Sequence, residues 1–204
     1  MTVGNLMALN QNDIKRIMAF SSIAHIGYML VAFAVCKSAA IGPVLFYFSA
    51  YILMNIGFFT ILSIAAKSED RNLTLEGLQG LAKMKPFFGI FIVIFLFSLA
   101  GIPPTAGFSA KFFIFSTAIS AKMYYLAIIG ILNSAVSAYY YLRILLYVYI
   151  KDPADSTVNE DGLNSISVNA ACFIVILITA AGTIWLGIMP GDLIELVRRA
   201  VFFI

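Results

Sequence analysis

The sequence predicts an all-α integral membrane protein of about five transmembrane helices, one of them broken, from three observations. Of its 204 residues 62% are apolar or aromatic and 11% are charged, too few charges to cover a water-soluble globule of this size. The apolar residues gather into runs of about 19 to 30, where about 20 suffice to cross the hydrocarbon as a helix. The longest run carries two adjacent prolines, Pro103 and Pro104.

Taken in order, the spans are Ile17 to Val35, Pro43 to Ala66, Phe87 to Ser120, Tyr124 to Ile150 and Ile166 to Met189, all within one membrane domain, 1–204. Residues 1–16 precede them. Met1 to Leu9 have no basic n-region and are too short to span, so they read as the tail of a preceding helix. The breaks are short and polar, and Lys151 to Ser165, with Asp152, Pro153, Asn159 and Gly162, is a solvated loop of turn-formers. Cys36 and Cys172 are far apart in apolar surroundings and suggest neither a disulfide framework nor a metal site.

Basic residues orient the chain. Lys15, Arg16, Lys67, Arg71, Lys83, Lys85 and Lys151 fall on one side, against Lys37, Lys122, Arg198 and Arg199 on the other. The richer side is expected to be cytoplasmic.

The third span is the most informative. As one straight helix its about 34 residues would measure about 51 Å against about 30 Å of hydrocarbon. The stretch Gly101-Ile102-Pro103-Pro104-Thr105-Ala106-Gly107 removes two backbone donors, so the span should break at Ile102–Thr105. A break at membrane depth needs protein or water around it, and such breaks mark ion pathways. Lys111 follows it, the single charged side chain between Phe87 and Ala121. It either snorkels to an interface or sits in a relieved buried site. Its distance of about ten residues from the end of the run favours the second, since snorkelling serves charges near an end. Gly107 should leave space beside the ammonium, with Ser109, Ser116 and Thr117 as nearby hydroxyls.

Polar stripes recur at helical spacing: Ser21, His25 and Tyr28 in the first span, Tyr47, Tyr51 and Asn55 in the second, Asn133, Ser137 and Tyr141 in the fourth. Each stripe could hold water or simply fasten helices together. His25, the single histidine, suits either a relay or a structural role. Arg143 fits snorkelling, a salt bridge or transport. The fifth span, with Thr179, Thr183 and Trp185, reads as lipid-facing.

The runs Asn10-Gln11-Asn12-Asp13-Ile14-Lys15-Arg16 through His25-Ile26-Gly27-Tyr28, Leu99-Ala100-Gly101-Ile102-Pro103-Pro104-Thr105-Ala106-Gly107-Phe108-Ser109-Ala110-Lys111-Phe112, and Tyr139-Tyr140-Tyr141-Leu142-Arg143 resemble the antiporter-like membrane subunits of proton-translocating NADH:quinone oxidoreductase, respiratory complex I. Within them the N-type subunit is most similar. The resemblance implies a fold of about fourteen helices in two inverted repeats, of which these residues resemble the second repeat and the final helix. It implies a proton pathway in which Lys111 is the broken-helix lysine, Lys15 the lysine before the preceding histidine helix, and His25 that histidine. Tyr51, Asn55, Asn133 and Ser137 would line the route, and Gly101, Pro103, Pro104 and Gly107 would form the break. The first repeat is not represented, so the resemblance implies half a pathway. It implies no cofactor in this chain. NADH, FMN, iron-sulfur clusters and quinone would belong to partner subunits, with the lipid bilayer and adjacent membrane subunits as neighbours, no nucleic acid, and a bacterial inner membrane as location. A Mrp-type cation/proton antiporter or membrane-bound hydrogenase subunit, or a purely structural scaffold, is the alternative.

Overall fold

The computed structural model describes residues 1–35, 40–67, 73–150 and 169–201, excluding the side chains of 66, 67 and 198–201. Cys36, Lys37, Arg71 and the loop 151–165 lie outside the described residues, as do the side chains of Lys67, Arg198 and Arg199. The helices are α1 (Thr2–Leu9), α2 (Ile14–Phe33), α3 (Ile41–Lys67), α4 (Leu81–Met84), α5 (Pro86–Ala100), α6 (Ala106–Ser120), α7 (Tyr124–Tyr149), α8 (Ala170–Ile188) and α9 (Pro190–Val201), with a 3₁₀ turn at Glu76–Leu78.

Capping sets one end differently from the hydrophobic pattern. The Asp13 carboxylate accepts from the Arg16 amide at 3.1 Å, so α2 starts at Ile14 rather than Ile17 and takes Lys15 and Arg16 into its first turn. The Asn169 side chain accepts from the Ala171 amide at 3.1 Å at the start of α8, Ala170, while the predicted start at Ile166 lies outside the described residues. Beyond the last predicted span lies one further helix, the amphipathic α9. Pro190 at its start and the apolar Leu193, Ile194 and Val197 at helical spacing explain it.

Helices α2, α3, α7 and α8 are each long and apolar enough to cross a membrane. Helices α5 and α6 have 15 residues each, about 22 Å, too short to cross singly. They cross as a pair. Gly80 N donates to Tyr147 O at 3.3 Å, placing the start of α5 beside the end of α7, and α6 ends just before α7 begins. The chain is therefore an all-α integral membrane protein with one traverse built from two half-length helices. Ile14 N bonds Leu73 O at 2.8 Å and Leu75 N bonds Asn12 O at 2.9 Å. Those contacts gather Lys15, Arg16, Lys83 and Lys85 at one end of the bundle and leave Lys122 at the other.

The expectation for α8 needs correction. Its Ile176, Thr179, Ala180 and Thr183 are buried, and only the opposite face, with Ile174, Ile178 and Trp185, is open. Thr179 and Thr183 satisfy their hydroxyls on the α8 backbone, at Val175 O and Thr179 O, both at 2.7 Å. They can therefore pack against α3 without needing partners there.

The largest fully buried side chains include four tyrosines, Tyr28, Tyr47, Tyr140 and Tyr141, each a hydroxyl that must find a partner inside the bundle. Glycines allow close backbone approach at several places, Gly4 and Gly107 among them. At Gly4, α1 meets the α2 backbone at Phe20 and Ala24; at Gly107, α6 meets α5 so closely that a Cβ would lie 1.7 Å from Ser98 O. Gly107→Ala should therefore cost about 3 kcal/mol or more. Gly42, with nothing within 4 Å of its Cβ position, should accept alanine with a gain of up to about 1 kcal/mol. Unfolding of both variants in mixed detergent micelles checks the contrast.

Candidate functional site

The site begins where α5 ends. Gly101 adopts φ +88°, a left-handed conformation that favours glycine, and closes α5 with bonds from Gly101 N to Ser98 O at 3.0 Å and Ile102 N to Phe97 O at 2.9 Å. Pro103 and Pro104 follow, joined by a cis peptide bond. Thr105 Oγ1 donates to Ile102 O at 2.7 Å, and Gly107 N, at the start of α6, donates to Ser98 Oγ at 3.0 Å.

That leaves the carbonyls of Leu99 and Ala100, which have no helical successor. The Lys111 ammonium reaches back from α6 and donates to both, at 3.0 and 2.9 Å, and to Ser134 Oγ on α7 at 3.0 Å. Its three protons thus meet three neutral acceptors. Lys111 is 4% exposed, and its Nζ stands 5.3 Å from the centroid of the Tyr28 ring, a cation–π contact. The negative end of the α5 dipole adds to the attraction. None of the helices α1 to α8 contains an aspartate or glutamate.

The glycine beside the ammonium is Gly101 and not Gly107. A Cβ at Gly101 would lie 3.0 Å from Lys111 Cδ and 3.2 Å from Nζ, whereas Gly107 serves the α5–α6 contact. The hydroxyl is Ser134, not those on α6. Ser109 donates to Gly187 O at 3.2 Å and Thr117 to Phe113 O at 2.8 Å. Ser116 instead lines a cavity of about 560 Å³ between α6 and α7, with Gly101, Phe108, Lys111, Phe115 and Ser134 also in its wall.

On the other side of Tyr28 lies a closed polar network. His25, 1% exposed, contacts the Tyr47 hydroxyl through Nδ1 at 2.8 Å and the Tyr141 hydroxyl through Nε2 at 3.0 Å. Tyr141 also shares a hydrogen bond with Ser21. Tyr51 lies against the His25 ring at 4.9 Å between centroids and donates to Ser22 Oγ at 2.6 Å. Asn133 and Ser137 turn inward on α7, and Ser137 Oγ donates to Ser134 O at 2.7 Å. Asn55 does not join this network, since its amide donates to Tyr51 O at 2.8 Å on its own helix. Lys15 is exposed in the first turn of α2, apart from the network.

This arrangement can be compared with known proteins. A family model described as NADH:quinone oxidoreductase/Mrp antiporter, TM matches residues 1–137. The chain belongs to this family. It is 42% identical over 98% of its length to NADH-quinone oxidoreductase subunit N of Trichlorobacter lovleyi, and 38% identical over 98% to subunit N of Bdellovibrio bacteriovorus. It spans about 40% of the length of these relatives. Its fold matches a chain of respiratory complex I from Thermus thermophilus with bound aureothin, at TM-score 0.79 and 31% identity, covering 95% of this chain and 42% of that one. A chain of the Mrp complex from Dietzia matches at TM-score 0.80 and 24% identity, covering 98% and 44%, a likeness of fold alone.

Two residues of this antiporter-family chain escape a pattern reading. Asn5 of α1 is 0% exposed and bonds Tyr28, Asn133 and Tyr140. Nothing in the short, weakly patterned segment around it signals that role. Arg143 neither snorkels nor forms a salt bridge in the described structure. It donates to Leu9 O at 3.1 Å, Gln11 O at 3.3 Å and Asn12 Oδ1 at 2.7 Å, fastening the end of α1. Arg143→Met should release that end at a cost of about 1.5–3 kcal/mol, as expected for hydrogen bonds to a charged group. Hydrogen exchange in residues 1–12 would then rise well above that of α7; unchanged protection would show that α1 is held by packing alone.

Proposed function

We propose that this chain is part of an N-type membrane subunit of NADH-quinone oxidoreductase in a bacterial inner membrane, in which Lys111 takes up and passes on a proton. NADH, FMN, iron-sulfur and quinone chemistry is assigned to partner subunits, and adjacent membrane subunits complete the path. The observation that carries this reading is a buried ammonium held by neutral acceptors in helices without a carboxylate. A neighbouring carboxylate would favour the charged form and hold the proton in place. Neutral acceptors leave the proton responsive to charge changes in neighbouring subunits.

Ser134 suits such an exchange. Its hydroxyl accepts from the ammonium, and by rotating it donates to the lone pair of the amine. Lys111 can then lose one proton while its remaining two still serve the Leu99 and Ala100 carbonyls. The cavity between α6 and α7 opens on this side of the lysine, its wall mostly apolar with the Ser116, Ser120 and Ser134 hydroxyls in it, and the His25–tyrosine network lies on the other. Moving a full charge across the membrane potential costs about 2.3 kcal/mol per 100 mV, so modest changes in neighbouring charge are enough to drive the exchange.

Identity of 42% to a subunit N and 31% to one complex I chain, against 24% to the Mrp chain, supports redox-driven pumping over cation exchange. In native membrane vesicles, Lys111→Ala and Lys111→Arg should both lower the number of protons pumped per electron transferred. Arginine fails because its guanidinium stays protonated. An unchanged ratio in both variants would contradict the role of Lys111, and loss of sodium- or potassium-dependent proton exchange without any redox partner would favour the antiporter.

A further inference from the structure

We propose that Asn5 is a positioning residue that joins the Lys111 site to the buried tyrosine cluster by holding the Tyr28 hydroxyl. This inference rests on the reading of Lys111 given above. Helix α1 carries no titratable side chain, so nothing in its chemistry marks it as part of a proton site. Yet Asn5 is fully buried and meets two other helices through one amide. Its Nδ2 donates to Tyr28 Oη at 3.0 Å and to Asn133 O at 3.0 Å, with Asn133 Oδ1 at 3.2 Å sharing the second proton. Its Oδ1 accepts from Tyr140 Oη at 3.0 Å. The Asn133 carbonyl can only accept, which fixes the orientation of the amide.

The direction of these bonds has a consequence. Because Tyr28 accepts from Asn5, its hydroxyl oxygen is anchored to α1. The Tyr28 ring meanwhile lies under Nζ. Asn5 therefore holds the hydroxyl end of the ring that lies under the ammonium. Through Tyr140, whose ring stands 4.5 Å from that of Tyr141, it reaches the partner of His25. Two helices that carry the proton-bearing groups, α2 and α7, share this one amide as a buried polar link.

A purely structural role would mean that Asn5 fastens α1 and does nothing more. The two roles separate in a double-mutant cycle in native membrane vesicles, with Asn5→Leu, Tyr28→Phe and the double variant. Tyr28→Phe keeps the ring over which the ammonium sits and removes only the hydroxyl. Pumping rate per assembled complex is measured at matched electron flux, with assembly followed separately and Lys111→Ala as the reference. Each single variant should lower the pumping rate about three- to tenfold, the equivalent of one buried hydrogen bond, and the double variant should fall no further. Asn5→Gln, which keeps the amide, should recover part of the rate. Reduced assembly with a normal rate per complex would overturn the proposal and leave Asn5 as a fastener, and so would additive losses in the double variant. Should Asn5→Leu fail to assemble, a normal rate in Tyr28→Phe overturns the proposal by itself. Normal pumping in Lys111→Ala would instead defeat the reading of Lys111 on which the proposal stands.

Discussion

A backbone carbonyl inside a bilayer must find a donor, because each unsatisfied group costs several kcal/mol there. At the end of α5 the carbonyls of Leu99 and Ala100 find the Lys111 ammonium, and the surrounding site is arranged about that requirement. The left-handed Gly101 stops the helix and, lacking a Cβ, leaves room for the lysine. Thr105 and Ser98 satisfy two further groups of the break, Ile102 O and Gly107 N. Each partner solves the other's problem: the carbonyls need donors, and the cation needs acceptors that water would otherwise supply.

The two sides of Lys111 differ in kind. Toward α2 and α3 the polar groups are paired with one another, and the tyrosine hydroxyls, His25 and Asn5 form bonds with defined partners. Polar side chains fasten membrane helices with bonds worth about 0.6–2 kcal/mol each, so this side also holds the bundle together. Toward the gap between α6 and α7 a cavity opens, with Ser116 and Ser134 in its wall. A lysine between a packed network and an accessible space has unlike neighbours on its two faces.

Much of this fold is legible in the sequence, because span length and proline chemistry are local properties. The interruption near Ile102–Thr105 follows from two prolines in an overlong apolar run. The burial of Lys111 follows from its distance to the end of that run. The details that escaped depend on how helices meet. Ser134 rather than Ser109 faces the ammonium because of the crossing of α7 over α6, which no spacing within one helix reveals. Gly107 stands one turn before Lys111, yet its missing Cβ serves the contact with Ser98. Asn55 lies on the same stripe as Tyr51 but folds its amide back onto its own backbone. Asn5 sits in a segment too short to show periodicity, and Arg143 acts on carbonyls that carry no sequence signal. The cap at Asp13 moved the start of α2 by a few residues, since one side-chain bond outweighs the hydropathy of a single turn.

The central claim is that Lys111 exchanges a proton while remaining seated on the α5 carbonyls. Redox-triggered infrared difference spectroscopy on membranes containing nitrogen-15-labelled lysine tests it most directly. The account predicts an isotope-sensitive ammonium deformation band that changes on reduction in the native protein and is missing from the Lys111→Arg variant. A difference spectrum with no such band, or one that is identical in the two proteins, would contradict it.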